Sequence, residues 1–176
     1  MVEHSDMPQW GLLTKGMKVV GESGLTYKLT RPLVQRATAT PHVWAAVNTT
    51  DETILYIIKQ PASGTEWNIR SFRKEIQLHK TFNDCSFIRR QVDLIPPQLN
   101  SDPPRMVLEP FENTLWGARN IRRFTRKEIK RIMKSTLFAL YNVHKQGLVY
   151  TGKPFSTGPL PVITVIDRSE NGKYVN

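Results

Sequence analysis

The sequence predicts an α+β protein, in which an antiparallel sheet of about five strands carries one helix and is followed by one long amphipathic helix. Three observations predict it. Residues 27–60 contain three short runs of strand character, residues 69–82 repeat apolar side chains at helical steps, and residues 125–147 carry a helix signature from cap to terminating glycine.

Residues 1–24 mix apolar and polar types without a period. Gly11, Gly16, Gly21 and Gly24 punctuate them, so they read as a loosely packed extension. Residues 27–35 partly alternate apolar and polar side chains as a strand does, and the polar residues 36–41 follow as a turn. Residues 42–48 and 53–60 are rich in β-branched and aromatic side chains. The four polar residues between them, 49–52, make an antiparallel hairpin the natural pairing. Ile69, Phe72, Ile76, His79 and Phe82 recur at three- and four-residue steps, which places them on one face of a helix. Residues 88–95 and 105–110 read as two further strands, separated by a loop whose prolines exclude regular structure.

The long helix is the clearest local signal. Thr125 followed by Glu128 is a capping box, in which each side chain satisfies a free backbone N–H at the helix start. Ile129, Ile132, Met133, Thr136, Leu137, Leu140 and Val143 form a continuous stripe, and Gly147 supplies the left-handed residue that ends such helices. So wide a stripe is expected to pack on something substantial, or else to meet another protein. After residue 151 the composition turns to glycine, proline and polar types. The expected organisation is an extension over 1–24, a sheet-and-helix lobe over 25–112, a partial helical lobe over 113–151 and a weakly structured tail over 152–176.

Composition narrows the function classes. The 176 residues, 39% of them apolar, suit an ordinary soluble domain, and the mean hydropathy is −0.39. No apolar run approaches the ~20 residues that span a bilayer, and residues 1–10 lack the basic start and apolar stretch of a signal peptide. No membrane partner is expected, and cytoplasmic or nuclear residence is the default. Cys85 is the sole cysteine, which excludes an internal disulfide and leaves a thiolate zinc site without partners. The four histidines lack metal-ligand spacing, so no metal site is expected from them.

The net charge of +10 is concentrated in Arg119, Arg122, Arg123, Arg126, Lys127, Lys130, Arg131 and Lys134, among which Glu128 is the lone acid. The plainer reading of this run is a solvated helix face. The functional one is a basic interaction module, residues 119–134, for a phosphoprotein or nucleic acid. Phe124 is the only aromatic residue within the run, so stacking on bases has little support and nucleic acid is disfavoured.

Three features in fixed order resemble the protein kinase family of eukaryotic type over residues 25–151. Tyr56-Ile57-Ile58-Lys59 is similar to the V-A-I-K strand. Glu75, in "SFRKEIQLHK", matches the helix glutamate that pairs with that lysine. The segment "RMVLEPFENTL", followed by a long helix and "VHKQGLVYT", resembles the strand, hinge and helix that lead to the H-R-D catalytic loop. The resemblance implies a kinase-like N-lobe followed by the start of an incomplete C-lobe, with ATP and Mg2+ as cofactors and transfer of phosphate to serine or threonine of proteins. Phosphoryl transfer depends on positioning and charge compensation, which explains the residue types. Lys59 would neutralise the α- and β-phosphates and Glu75 would fix that lysine. Val43 would line the pocket, Leu108 would be the gatekeeper, and Glu109, Pro110 and Phe111 would form the hinge that offers backbone groups to adenine. The alternatives are a Lys59 that points to water and a Glu75 that is an ordinary surface acid.

Other positions depart from the pattern. Arg36, Thr38 and Pro41 stand where the glycines of the phosphate loop belong, and Pro41 has no N–H to donate. Ile57 replaces the small residue that roofs the adenine. Gly152 occupies the place of the catalytic aspartate, Thr157 that of the magnesium asparagine, and Asp167 is followed by Arg168 and Ser169 rather than by the D-F-G pattern. Gly152-Lys153 is compatible with a splice-donor sequence across two codons, which raises the reading of residues 152–176 as translated intron. The expected function is therefore that of a kinase-family chain without phosphotransfer activity, either a weak nucleotide binder or an interaction module of pseudokinase type. The alternatives are a working serine/threonine kinase whose catalytic loop follows the translated intron, and the basic interaction module 119–134. Its expected contacts with partners are the apolar helix face 129–143 or the basic residues 119–134.

Overall fold

A computed structural model describes residues 12–33, 41–62, 64–98, 102–111 and 115–148. In chain order the elements are β1 (Lys18–Val20), β2 (Thr26–Pro32), β3 (Val43–Asn48), β4 (Leu55–Lys59), α1 (Glu66–Thr81), β5 (Gln91–Ile95), β6 (Arg105–Leu108), α2 (Leu115–Ile121) and α3 (Arg126–Lys145). They fall into two compact units. The first comprises the chain through residue 80 together with 91–110, and the second comprises 81–90 and the chain from 111 onward. The chain is α+β as expected.

In the first unit six strands form one sheet in the order β1-β2-β3-β4-β6-β5, with every neighbouring pair antiparallel. The expected hairpin is β3–β4, with Val43 opposite Lys59 and Ala45 opposite Ile57. Side chains alternate between the faces of a sheet, and the register sorts them into two layers. Tyr27, Leu29, Trp44, Ala46, Ile58, Ile95 and Val107 share one face with Leu13 and Val19 in a single buried cluster. Ile57, Met106 and Leu108 point the other way and pack against Phe72 and Ile76 of α1, with Val43 and Leu94 at the margin.

The sheet curls until its two ends meet. The Glu22 amide, in the β1–β2 turn, donates to the Leu94 carbonyl of β5 at 2.8 Å. Beside it Asp93 accepts from the Ser23 hydroxyl at 2.5 Å, the Ser23 amide at 3.2 Å and the Tyr27 hydroxyl at 2.8 Å. Burial alone would raise the Asp93 carboxyl, but these hydrogen bonds and one from the Leu94 amide outweigh it and hold the group below the usual carboxylate range. Burial, with the Asp93 hydrogen bond, pushes the Tyr27 phenol well above its ordinary value. Gly21 is required at this junction, because a Cβ there would lie 1.9 Å from Asp93 Oδ2.

Three expectations change. The segment read as a loose extension contributes β1 and two core residues, Leu13 and Val19, so the sheet has six strands. The strand expected from residue 88 begins at Gln91, because Ile88 closes a turn (its amide donates to the Cys85 carbonyl at 3.1 Å) and packs with Phe82 in the second unit. Phe82, expected on the helix face with Phe72, lies one residue beyond α1 and joins that second cluster.

In the second unit α3 starts as its sequence dictates. The Thr125 hydroxyl accepts from the Glu128 amide at 3.3 Å, and Glu128 accepts from the Thr125 amide at 2.7 Å. The hydrogen bond from Arg122, then those from the backbone and hydroxyl of Thr125, depress the Glu128 carboxyl to about 2. Gly147 takes φ +70° just past the helix end. The apolar stripe does not turn inward as one surface. Ser135 and Ala139 are the buried positions of the helix, with Ala139 packed on Phe82 and Ile88, whereas Ile129, Met133 and Leu137 are exposed. The buried positions thus carry small side chains, and the larger apolar ones of the stripe face outward. α2 has no counterpart among the expected elements.

Two predictions concern stability. Asp93→Ala should cost about 2 to 4 kcal/mol in urea unfolding followed by circular dichroism, because buried hydroxyl and amide donors lose their acceptor. Since the folded carboxyl titrates below its unfolded value of about 3.9, the stabilisation is present above that pH and disappears as pH falls through the folded value. The Asp93→Ala penalty should therefore shrink in strong acid. Gly21→Ala should lower the melting temperature too, since the intruding methyl displaces a carboxylate held by several donors. An unchanged melting temperature would contradict the account of the closure.

Candidate functional site

Lys59 is the last residue of β4, paired with Val43 on one side and Met106 on the other. That register places it on the face that carries Ile57 and Leu108, beneath α1, and not on the enclosed face. Glu75 lies three residues beyond Phe72 and one before Ile76, the two residues that seat α1 on the sheet. The helix therefore fixes where its carboxylate sits. Lys59 Nζ and Glu75 Oε1 form an ion pair, with side chains 20% and 27% exposed. The Lys59 ammonium lies 6.0 Å from the centre of the Phe72 ring. Neither a water-facing lysine nor a solitary surface glutamate describes these residues.

The apolar surroundings are formed by the same register. Ile57 stands opposite Leu108, and both are buried with Met106, Phe72 and Ile76. Val43 packs at the edge of this group. Glu109, directly after β6, is half-buried. Lys59, Glu75, Val43 and Leu108 are thus brought together within the first unit. Phe111 belongs to the second unit, where its ring lies 4.2 Å from the Arg89 guanidinium carbon. Pro41 has its carbonyl engaged by the Trp44 indole at 3.2 Å. Arg36, Thr38, Gly152, Thr157 and Asp167 lie outside the described residues.

Two further residues, His79 and Arg105, make polar contacts that no motif in the sequence announces. His79, one helical turn after Glu75, puts Nε2 4.0 Å from the same carboxylate oxygen that Lys59 holds. Its spacing of four from Glu75 was the available signal. Arg105 is fully buried on the opposite face of β6 from Met106, and its Nε donates to Gln60 at 3.2 Å while Asp102 lies 3.5 Å from the guanidinium. Burial lowers its pKa from the ordinary guanidinium value, and the nearby Asp102 opposes that effect. A lone arginine at the start of an apolar strand carries no such signal.

Chemically, a half-buried ammonium oriented by a carboxylate suits an anionic group, and the apolar residues beside it suit a flat, weakly polar one. Among the described residues no group of histidine, cysteine and acidic side chains could hold a metal ion. No helix among them is long and apolar enough to cross a membrane. The chain matches no protein-family model and no curated protein.

The Lys59–Glu75 pair gives a direct prediction. A double-mutant cycle with Lys59→Met and Glu75→Gln, read by urea unfolding, should return a coupling of about 1 to 2 kcal/mol, more than an exposed pair gives. Additive effects of the two substitutions would show the pair to be energetically idle.

Proposed function

We propose that the first unit is a nucleotide-binding lobe of protein kinase type, and that this chain binds Mg·ATP weakly without transferring phosphate. The observation that carries the reading is the Lys59–Glu75 ion pair, formed across 16 residues of sequence on the sheet face that also holds Val43, Ile57 and Leu108. In this reading the Lys59 ammonium compensates the α- and β-phosphates, and Glu75 holds it in place so that little entropy is lost on binding. Val43 and Leu108 flank the base, and the backbone that follows β6 at Glu109 meets its polar edge.

Weak affinity follows from the same residues. Ile57 fills with a branched side chain the space above which a base would lie, and it is already buried among Phe72, Ile76 and Leu108. Pro41 offers no N–H to a phosphate, and the residues that stand for the glycine-rich loop carry side chains. Inactivity rests on Gly152, which has no carboxylate to accept a substrate hydroxyl proton.

Thermal unfolding tests the reading. With a dissociation constant of about 1 mM, about 10 mM Mg·ATP adds about 1.4 kcal/mol of stability, which raises the melting temperature by several degrees. Lys59→Ala should abolish that rise. Ile57→Ala should cost about 2 to 4 kcal/mol in the free protein yet enlarge the rise, because it opens the space beside Leu108. No labelled phosphate should reach protein substrates. An ATP-induced rise that survives Lys59→Ala, or phosphate incorporation by this chain, would overturn the proposal.

A further inference from the structure

The second unit carries a surface that the nucleotide reading leaves unused. On α3, Ile129, Met133, Leu137 and Tyr141 follow one another at four-residue steps and are 46%, 60%, 63% and 61% exposed. A row of this spacing is the ridge by which one helix enters the groove of another. Beside it on the same helix runs a second row, Lys127, Lys130 and Lys134, all exposed. On the ridge's other side lie the buried Ser135 and Ala139, so the cations border the ridge on the solvent side only. From this arrangement we infer that α3 docks an amphipathic helix of an acidic partner protein, its apolar stripe on Ile129–Met133–Leu137–Tyr141 and its carboxylates along Lys127–Lys130–Lys134.

Charge selects this occupant. Among the described residues of the second unit the acids are Asp84 and Glu128, and Glu128 is already engaged by Arg122 and Thr125. A second copy of the chain paired antiparallel would set its lysine row against this one, and paired parallel it would bring no carboxylates to either row, so neither pairing matches the charges. An anionic membrane would accept the lysines. It would not use the four-residue ridge, however, because an interfacial helix buries a broad apolar face that is polar on the opposite side, and here the opposite side of α3 is inside the protein. An acidic helix satisfies both rows at once, and the charges then set its orientation as well as its affinity.

The experiment uses the full chain and two labelled synthetic helices of about 20 residues, matched in length to α3. Both carry the same leucine stripe, one flanked by glutamates and the other by lysines. Fluorescence anisotropy at low salt should show the glutamate peptide binding at least about tenfold more tightly than the lysine peptide. Met133→Asp with Leu137→Asp should abolish binding of both. These positions are exposed, so circular dichroism should show the fold retained. Lys130→Glu with Lys134→Glu should reverse the preference toward the lysine peptide, an inversion that loss of folding cannot produce. Equal affinity for the two peptides, or no binding of either, would overturn the inference. So would displacement of the glutamate peptide by phosphatidylserine vesicles, or a Leu137-dependent dimer of the chain.

Discussion

Asp93 lies where the two ends of the sheet come together, and the geometry of the first unit depends on what its carboxylate accepts. An open antiparallel sheet of six strands leaves two edges unpaired and exposes one apolar face. Here the β1–β2 turn reaches β5 through the Glu22 amide, and Asp93 gathers Ser23 and Tyr27 beneath it. The cost of burying a carboxylate is offset because each of several donors would otherwise be unsatisfied as well. Closure encloses Tyr27, Leu29, Trp44, Ile58 and Val107 on one face. It follows that Val43, Ile57, Lys59, Met106 and Leu108 must take the other.

That sorting puts a lysine under a helix. Phe72 and Ile76 hold α1 on the sheet by apolar contact, and the helical repeat between them delivers Glu75 to Lys59. A half-buried cation needs such a counterion, since desolvation would otherwise disfavour its charge. Glu75 also lies near His79, so one carboxylate stands between two basic groups on adjoining elements. The site's polarity and its apolar wall thus arise from a single register, and Ile57 is where the two demands conflict. Packing favours a large side chain against Phe72 and Ile76, whereas the base of the proposed nucleotide would need that volume.

The parts of the fold legible in the sequence were those set by local physics. The β3–β4 hairpin followed from alternation and a polar turn, and α3 from a cap and a terminating glycine within its own residues. The pairing of Lys59 with Glu75 was legible only through a family resemblance, because no local rule joins a strand lysine to a helix glutamate. β1 was missed since three residues between glycines show no alternation, and its partners on β2 supply the order. Seven residues with Gly117 inside gave α2 no pattern to detect. Asp93 was hidden because its hydroxyl partners lie 70 and 66 residues away in sequence. Gly21 looked like loop punctuation, and only the approach of that distant carboxylate gives it a reason. Met133 and Leu137 face outward while Ala139 packs on Phe82 and Ile88, a choice of face that an apolar repeat cannot reveal.

In the proposed nucleotide-binding lobe, the phosphates meet Lys59 on the face of the sheet that α1 covers. An amide NMR titration of the full chain with Mg·ATP is the decisive test, because each non-proline backbone N–H reports separately. Shifts are expected at Val43–Asn48, at the Ile57–Lys59 end of β4, and at Leu108 and Glu109, with the helix amides around Glu75 following as the ion pair adjusts. An unperturbed spectrum, or shifts confined to Arg126–Lys145 with its lysine row, would contradict it.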